Sequence, residues 1–135
     1  MDLIAVMDEI GDALAAIPDL RVKSYTESRI IPPVVMVALP RRYPFDQTMG
    51  RGSDEIEIPI VLFVGRVDAG SALRSLGRYV AGSGEYSIKE AIEKHLPVAF
   101  DVAHVLDVSF VVATVATVDF LTATFRCRVF GPGEG

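Results

Sequence analysis

A chain of 135 residues has the length of one domain built on one hydrophobic core. Its net charge of −5 and pI of about 4.9 argue against a protein whose main task is gripping nucleic acid, which needs a basic patch. Half of the residues are hydrophobic and mean hydropathy is +0.38, yet no apolar run approaches the ~20 residues that span a bilayer.

The single cysteine, Cys127, excludes an internal disulfide and fits a reducing compartment. The start, MDLIAVMDEIGD, lacks the basic region of a signal peptide, so a soluble protein made in a cytoplasm is expected. The surplus of apolar residues points to a subunit interface, with heavily packed core strands as the alternative.

In chain order, residues 2–17 read as an amphipathic helix. Leu3, Val6, Met7, Ile10, Leu14 and Ile17 recur at helical spacing, Asp2 caps the start, and Pro18 stops it. Gly11 costs about 1 kcal/mol against alanine inside a helix, and it is expected either to admit a close neighbour or to have no role. Residues 20–25 form a short strand, and Pro32-Pro33 leads an extended backbone into an all-apolar strand over 34–39. A second apolar strand over 55–65 places Ile56, Ile58, Ile60, Leu62 and Val64 on one face at period two.

The loop of about fifteen residues between these two strands is long for a compact domain. It carries Arg41, Arg42, Tyr43, Phe45, Met49 and Arg51, and is read as a binding element, against a plain disordered hairpin tip with a few solvated charges. Pro59 cannot donate to a ladder, so its strand is expected at an edge or a bulge. An edge apolar beyond Pro59, at Ile60 and Leu62, is an aggregation hazard unless a neighbouring subunit pairs with it, which makes these two candidate interface residues.

Asp68 is read as the cap of a second helix over 69–81, with Leu73, Leu76, Tyr79 and Val80 buried. Ser87 and Glu90 form the capping box of a third helix reaching about His95. Two long strands close the domain, and residues 131–135 are read as a flexible tail. A turn centred on Val115-Ala116 sets Phe110 opposite Leu121, Val108 opposite Ala123, Leu106 opposite Phe125 and Val102 opposite Val129. It also faces His104 with Cys127. Arg126 and Arg128 fall on the polar face, where they either meet a neighbouring subunit's carboxylate or face solvent. The expected fold class is α+β: one mainly antiparallel or mixed sheet with an N-terminal helix and two further helices packed on it, a single domain over 1–130.

Chemistry is sparse. His104 and Cys127 are too few for a metal site, so a buried structural pair is expected; His95, at a helix end, reads as a surface residue. The stretch Met49-Gly50-Arg51-Gly52-Ser53 leads into a strand and lacks the lysine of a phosphate loop. Two histidines and one cysteine leave no catalytic triad. No catalytic residue, metal ligand or cofactor site is assigned.

Several segments together resemble a known family: the first helix ending in IPDLRV, then PPVVMVALP, a loop ending in TMGRGSDE, the strand IEIPIVLFVGR, and the connector RYVAGSGEYSIKEAIE. In this order they resemble tail terminator proteins of long non-contractile-tailed phages, up to about Phe130. The resemblance implies a lambda-type terminator fold and a structural virion protein without catalysis or cofactor. It implies a hexameric ring of the chain with itself, capping the major tail tube protein, ending tube polymerisation and receiving the head–tail connector of the neck. DNA passes through the lumen without specific binding, no membrane is involved, and assembly takes place in the host cytoplasm. The alternatives are another neck component, such as a head-completion or tail-completion protein, and more remotely a small ligand-binding or enzymatic domain, for which the sequence supplies no convergent polar cluster.

Overall fold

The computed structural model describes residues 2–24, 31–40, 53–68 and 70–132. Among the described residues, three helices and five strands follow one another as α1 (Leu3–Leu14), β1 (Arg21–Ser24), β2 (Val34–Val37), β3 (Ser53–Arg66), α2 (Ala72–Val80), α3 (Ile88–Glu93), β4 (Val102–Val115) and β5 (Val118–Pro132). The strands form one mixed sheet in the order β1-β2-β3-β5-β4, in which only β1 and β2 run parallel. The α+β class holds. The last strand runs through Pro132, beyond the expected limit at 130.

α1 begins where Asp2 accepts a hydrogen bond from the Ala5 amide at 3.2 Å. The helix ends at Leu14, and a turn carries the chain on to Ile17, which is still buried. A Cβ on Gly11 would lie 3.5 Å from Val22 Cγ1, so this is where β1 comes against the helix. α2 starts later than its sequence suggests, at Ser71 rather than Asp68, and Asp68 instead pairs with Arg66 at 3.5 Å. Ala72, Leu76 and Tyr79 form its buried face, whereas Leu73 is exposed. Gly65 admits the start of this helix: a Cβ there would come within 3.3 Å of Ala72 Cβ.

In α3, Ser87 Oγ accepts from the Glu90 amide at 3.1 Å, as a capping box requires. The Glu90 carboxylate reaches past the cap to the Gly84 amide at 2.8 Å. The Lys94 and Gly84 contacts outweigh its partial desolvation and hold that carboxyl below its ordinary range.

The helix-side face of the sheet is the core. Ile56, Ile58, Ile60, Leu62 and Val64 lie in it, with Phe125, Cys127 and Val129 beside them and Val6, Ile10, Leu14, Tyr79, Ile88 and Ile92 above. β3 is not an edge. Its second half pairs with β2 and β5 together, Val37 and Phe125 both flanking Ile60. Pro59 sits where the β2 ladder ends: its carbonyl accepts from the Ala38 amide at 2.9 Å, and its missing N–H points the same way, off the end of β2. The expectation that a neighbouring subunit pairs with this strand at Ile60 and Leu62 therefore fails, since β2 and β5 already flank both residues and their side chains are wholly buried.

The β4–β5 hairpin turns at Ala116 and Thr117, with φ of 50° and 66°, and Val115 pairs with Val118. Two left-handed residues make a tight loop whose twist suits the strands. The turn lies one residue later than expected, so every pairing moves by two: Phe110 faces Ala123, and Val108 faces Phe125. A shift of two keeps each side chain on its face.

A bulge between Val105 and Asp107 then exchanges the faces along the first part of β4. Ala103 and Val105 are buried, while Val102 and His104 turn outward. The expected His104–Cys127 pair does not form. His104 lies opposite Arg128 and edge-on to Phe130 at 6.4 Å, and Cys127 faces Val105. Burial pushes the Cys127 thiol up to about 12. Replacing Ala116-Thr117 by Asn-Gly, which adopts left-handed conformations at little cost, is expected to raise the folding free energy by about 1 kcal/mol, seen as a higher urea midpoint at unchanged slope.

Candidate functional site

Outside the core, three surfaces hold side chains that could do something. The first is the sheet face away from the helices. Arg126 grips Asp107 in a bidentate pair at 2.9 and 2.6 Å and stands 3.8 Å from Glu57. Arg128 Nη2 donates to Glu57 at 3.3 Å. Its Nε lies 2.9 Å from Glu55, at ion-pair distance but without hydrogen-bond alignment. The carboxylates expected from a neighbouring subunit are therefore the chain's own, supplied by β3 and β4. The Arg126 guanidinium holds the Asp107 carboxyl below the usual carboxylate range. Towards the hairpin turn the same face becomes apolar, where Val34, Met36, Phe63 and Phe120 cluster and the two rings meet edge to face at 5.9 Å.

The second surface is the loop after α3. Glu9 of α1 accepts from the Val98 and Ala99 amides, both at 2.7 Å, and lies 2.9 Å from His95 Nε2. His95 is thus not a free surface residue but half-buried against α1. Burial raises the Glu9 carboxyl, but the two amides and the imidazole outweigh it and leave it below its ordinary value. Glu93 is lowered likewise: burial raises it, and Lys89 and the Val105 amide, the latter at 2.9 Å, outweigh that. The Glu93 contact satisfies a backbone N–H at the β4 bulge.

The third surface is the outer edge of β4. Fourteen residues long, β4 pairs with β5 alone among the described residues. Leu106 at its bulge and Phe110, Val111 and Val112 in its distal half are all large, apolar and 40–55% exposed. No charged residue occurs between Asp107 and Asp119, so the lysines and inward charges that usually protect an edge are missing. Phe110 and Val112 point to the helix side, opposite Ala123 and Leu121, and Val111 points to the other. At the far end of the sheet, a groove of about 640 Å³ runs between α1 and β1, lined by Ile4, Met7, Gly11, Ala15, Val22 and Val37 together with the charged Asp8, Asp12 and Lys23.

The contact loop expected at Arg41, Arg42, Tyr43, Phe45, Met49 and Arg51 lies outside the described residues. Among the described residues, no group of three or more His, Cys, Asp or Glu could hold a metal ion, and no helix is long and apolar enough to cross a membrane. The β4 edge was not singled out in the sequence as a surface, although the uncharged run from 108 to 118 was visible there. The bulge that turns the strand was not. No protein-family model matches the chain, and no curated protein matches its sequence.

Proposed function

We propose that this chain is a structural assembly subunit of a phage tail, a tail terminator that forms a ring, of six copies as its resemblance implies, on the end of the tail tube. The ring ends tube growth and offers its other face to the neck connector, and DNA crosses its lumen unbound. The observation that carries the reading is the β4 edge: a long strand, apolar and uncharged over its distal half, whose outer side has no partner among the described residues, belongs in contact with another polypeptide. The segments quoted above support the terminator in particular, and the acidic balance suits a conduit that DNA must leave without sticking.

The test is mass in solution by light scattering, alone and with purified tail tubes. The expected result is a closed ring, or a monomer that becomes a ring at one end of the tube. A monomer indifferent to tubes would transfer the chain to another position in the neck, and a stable monomer that binds a metabolite would return it to the ligand-binding class.

A further inference from the structure

We propose that the distal half of β4 in one copy adds to the sheet of a second copy beside β1, with Phe110 and Val112 seated in the α1–β1 groove. The inference rests on the assembly reading only in requiring that the chain associate with itself.

Strand polarity supports it. β1 runs parallel to β2, and β4 runs opposite to both, because the three junctions β2–β3, β3–β5 and β5–β4 are all antiparallel. When two copies are laid edge to edge in the same orientation, β4 of the first therefore meets β1 of the second antiparallel. The helices then lie on one side throughout. In such a ladder, directly opposed side chains share a face. Val22 and its partner Val35 face the helices, as do Phe110 and Val112, so the two exposed side chains of β4 enter the space between β1 and α1 of the next copy.

That space is built to receive them. The groove is about 640 Å³ and mostly apolar, and Ile4 on its wall is 55% exposed. Phe110 and Val112 are each 53% exposed and lie in a stretch with no charge, so the strand brings no ion of its own into a groove whose charged residues are Asp8, Asp12 and Lys23. One molecule thus carries both halves of a head-to-tail interface at opposite ends of its sheet. A contact of this type, repeated, gives a ring where the rotation closes and a filament where it does not. It also covers an edge that has no partner among the described residues.

The experiment places cysteines in the full-length chain and oxidises it with copper–phenanthroline at concentrations where light scattering reports multimers, and again on tail tubes. Two double variants, Ile4→Cys with Phe110→Cys and Ala15→Cys with Phe110→Cys, sample the two ends of the groove. All three sites are exposed, and circular dichroism verifies the fold. Cys127 is fully buried with a raised thiol pKa, so it stays out of the reaction.

The expected result is a ladder of covalent multimers from at least one double variant. No adducts should come from the single variants, or from Val111→Cys combined with either groove cysteine, since Val111 points away from the groove. Dimers from Phe110→Cys alone would overturn the contact in favour of two-fold β4–β4 pairing. Multimers by scattering with no ladder from either double variant would overturn it too, while leaving the assembly reading in place. A chain monomeric alone and on tubes, with no ladder, would overturn both.

Discussion

Replacing Ile60 with alanine is expected to lower the folding free energy by about 3–4 kcal/mol, the usual range for deleting a large aliphatic side chain from a core that only partly collapses around the gap. For a domain of this size, total stability is of the order of 5–15 kcal/mol, so the variant sits near the edge of folding at 37 °C. Ile60 is wholly buried on the central strand, between Val37 of β2 and Phe125 of β5, and its neighbours on both strands are held by two ladders. Backbone movement cannot readily fill the space. Urea unfolding followed by circular dichroism measures the loss as a lower midpoint with an unchanged slope. Phe110→Ala is the contrasting variant. That side chain is half exposed, and its truncation is expected to move the midpoint by less than about 1 kcal/mol while weakening self-association. Were Ile60→Ala to keep wild-type stability and lose only assembly, Ile60 would be an interface residue after all.

The contrast shows what the sequence could convey. The period-two run from Ile56 to Val64 identified one buried face correctly, because a long central strand covered on one side leaves a regular pattern. Pro59 pointed to an interrupted ladder, and the ladder to β2 is interrupted there, but nothing local tells which half of the strand keeps both neighbours. That depends on where β2 stops. The hairpin shows the same division. Its pairing by face was readable beyond the bulge, since a shift of two residues preserves alternation. The bulge at Leu106 was not readable, because Val102, His104, Leu106 and Val108 form an unbroken alternation that continues past it. Turning this alternation outward needs a partner that rewards the other face, and Ala103 and Val105 gain that by packing into the core beside Cys127 and Val129. The Glu9 contact was invisible for a different reason. A carboxylate on the polar side of a helix looks solvated until an element ninety residues away brings two amides to it.

That contact carries the second large effect. Glu9→Ala is expected to cost about 2–4 kcal/mol, since it leaves two backbone N–H groups and one imidazole without the charged acceptor they now share. Its side chain is only 13% exposed, so water replaces the carboxylate poorly. Glu9→Gln should recover part of the loss, because it keeps an acceptor oxygen but not the charge. The pH dependence follows in sign. Desolvation raises the Glu9 carboxyl, and the Ala99 and Val98 amides with His95 outweigh it, so the folded value lies below the unfolded one. A lowered carboxyl contributes its stability in full above the unfolded value, near pH 4 to 4.5, and loses it as pH falls through the folded value. The difference in urea midpoint between wild type and Glu9→Ala should therefore be largest at neutral pH and shrink progressively through the acid range. Glu93 is lowered too, by Lys89 and the Val105 amide against its own desolvation, and it remains in both proteins, so neither curve is flat. Only the gap between them reports Glu9. The loop that Glu9 fastens also carries Leu96 and Val98, 85% and 94% exposed, which the carboxylate holds in one position on the surface. Hydrogen exchange at the Val98 and Ala99 amides should accelerate in Glu9→Ala by more than the global loss of stability accounts for, whereas two curves running parallel with pH and amides exchanging only with global unfolding would show that the carboxylate does not fasten the loop.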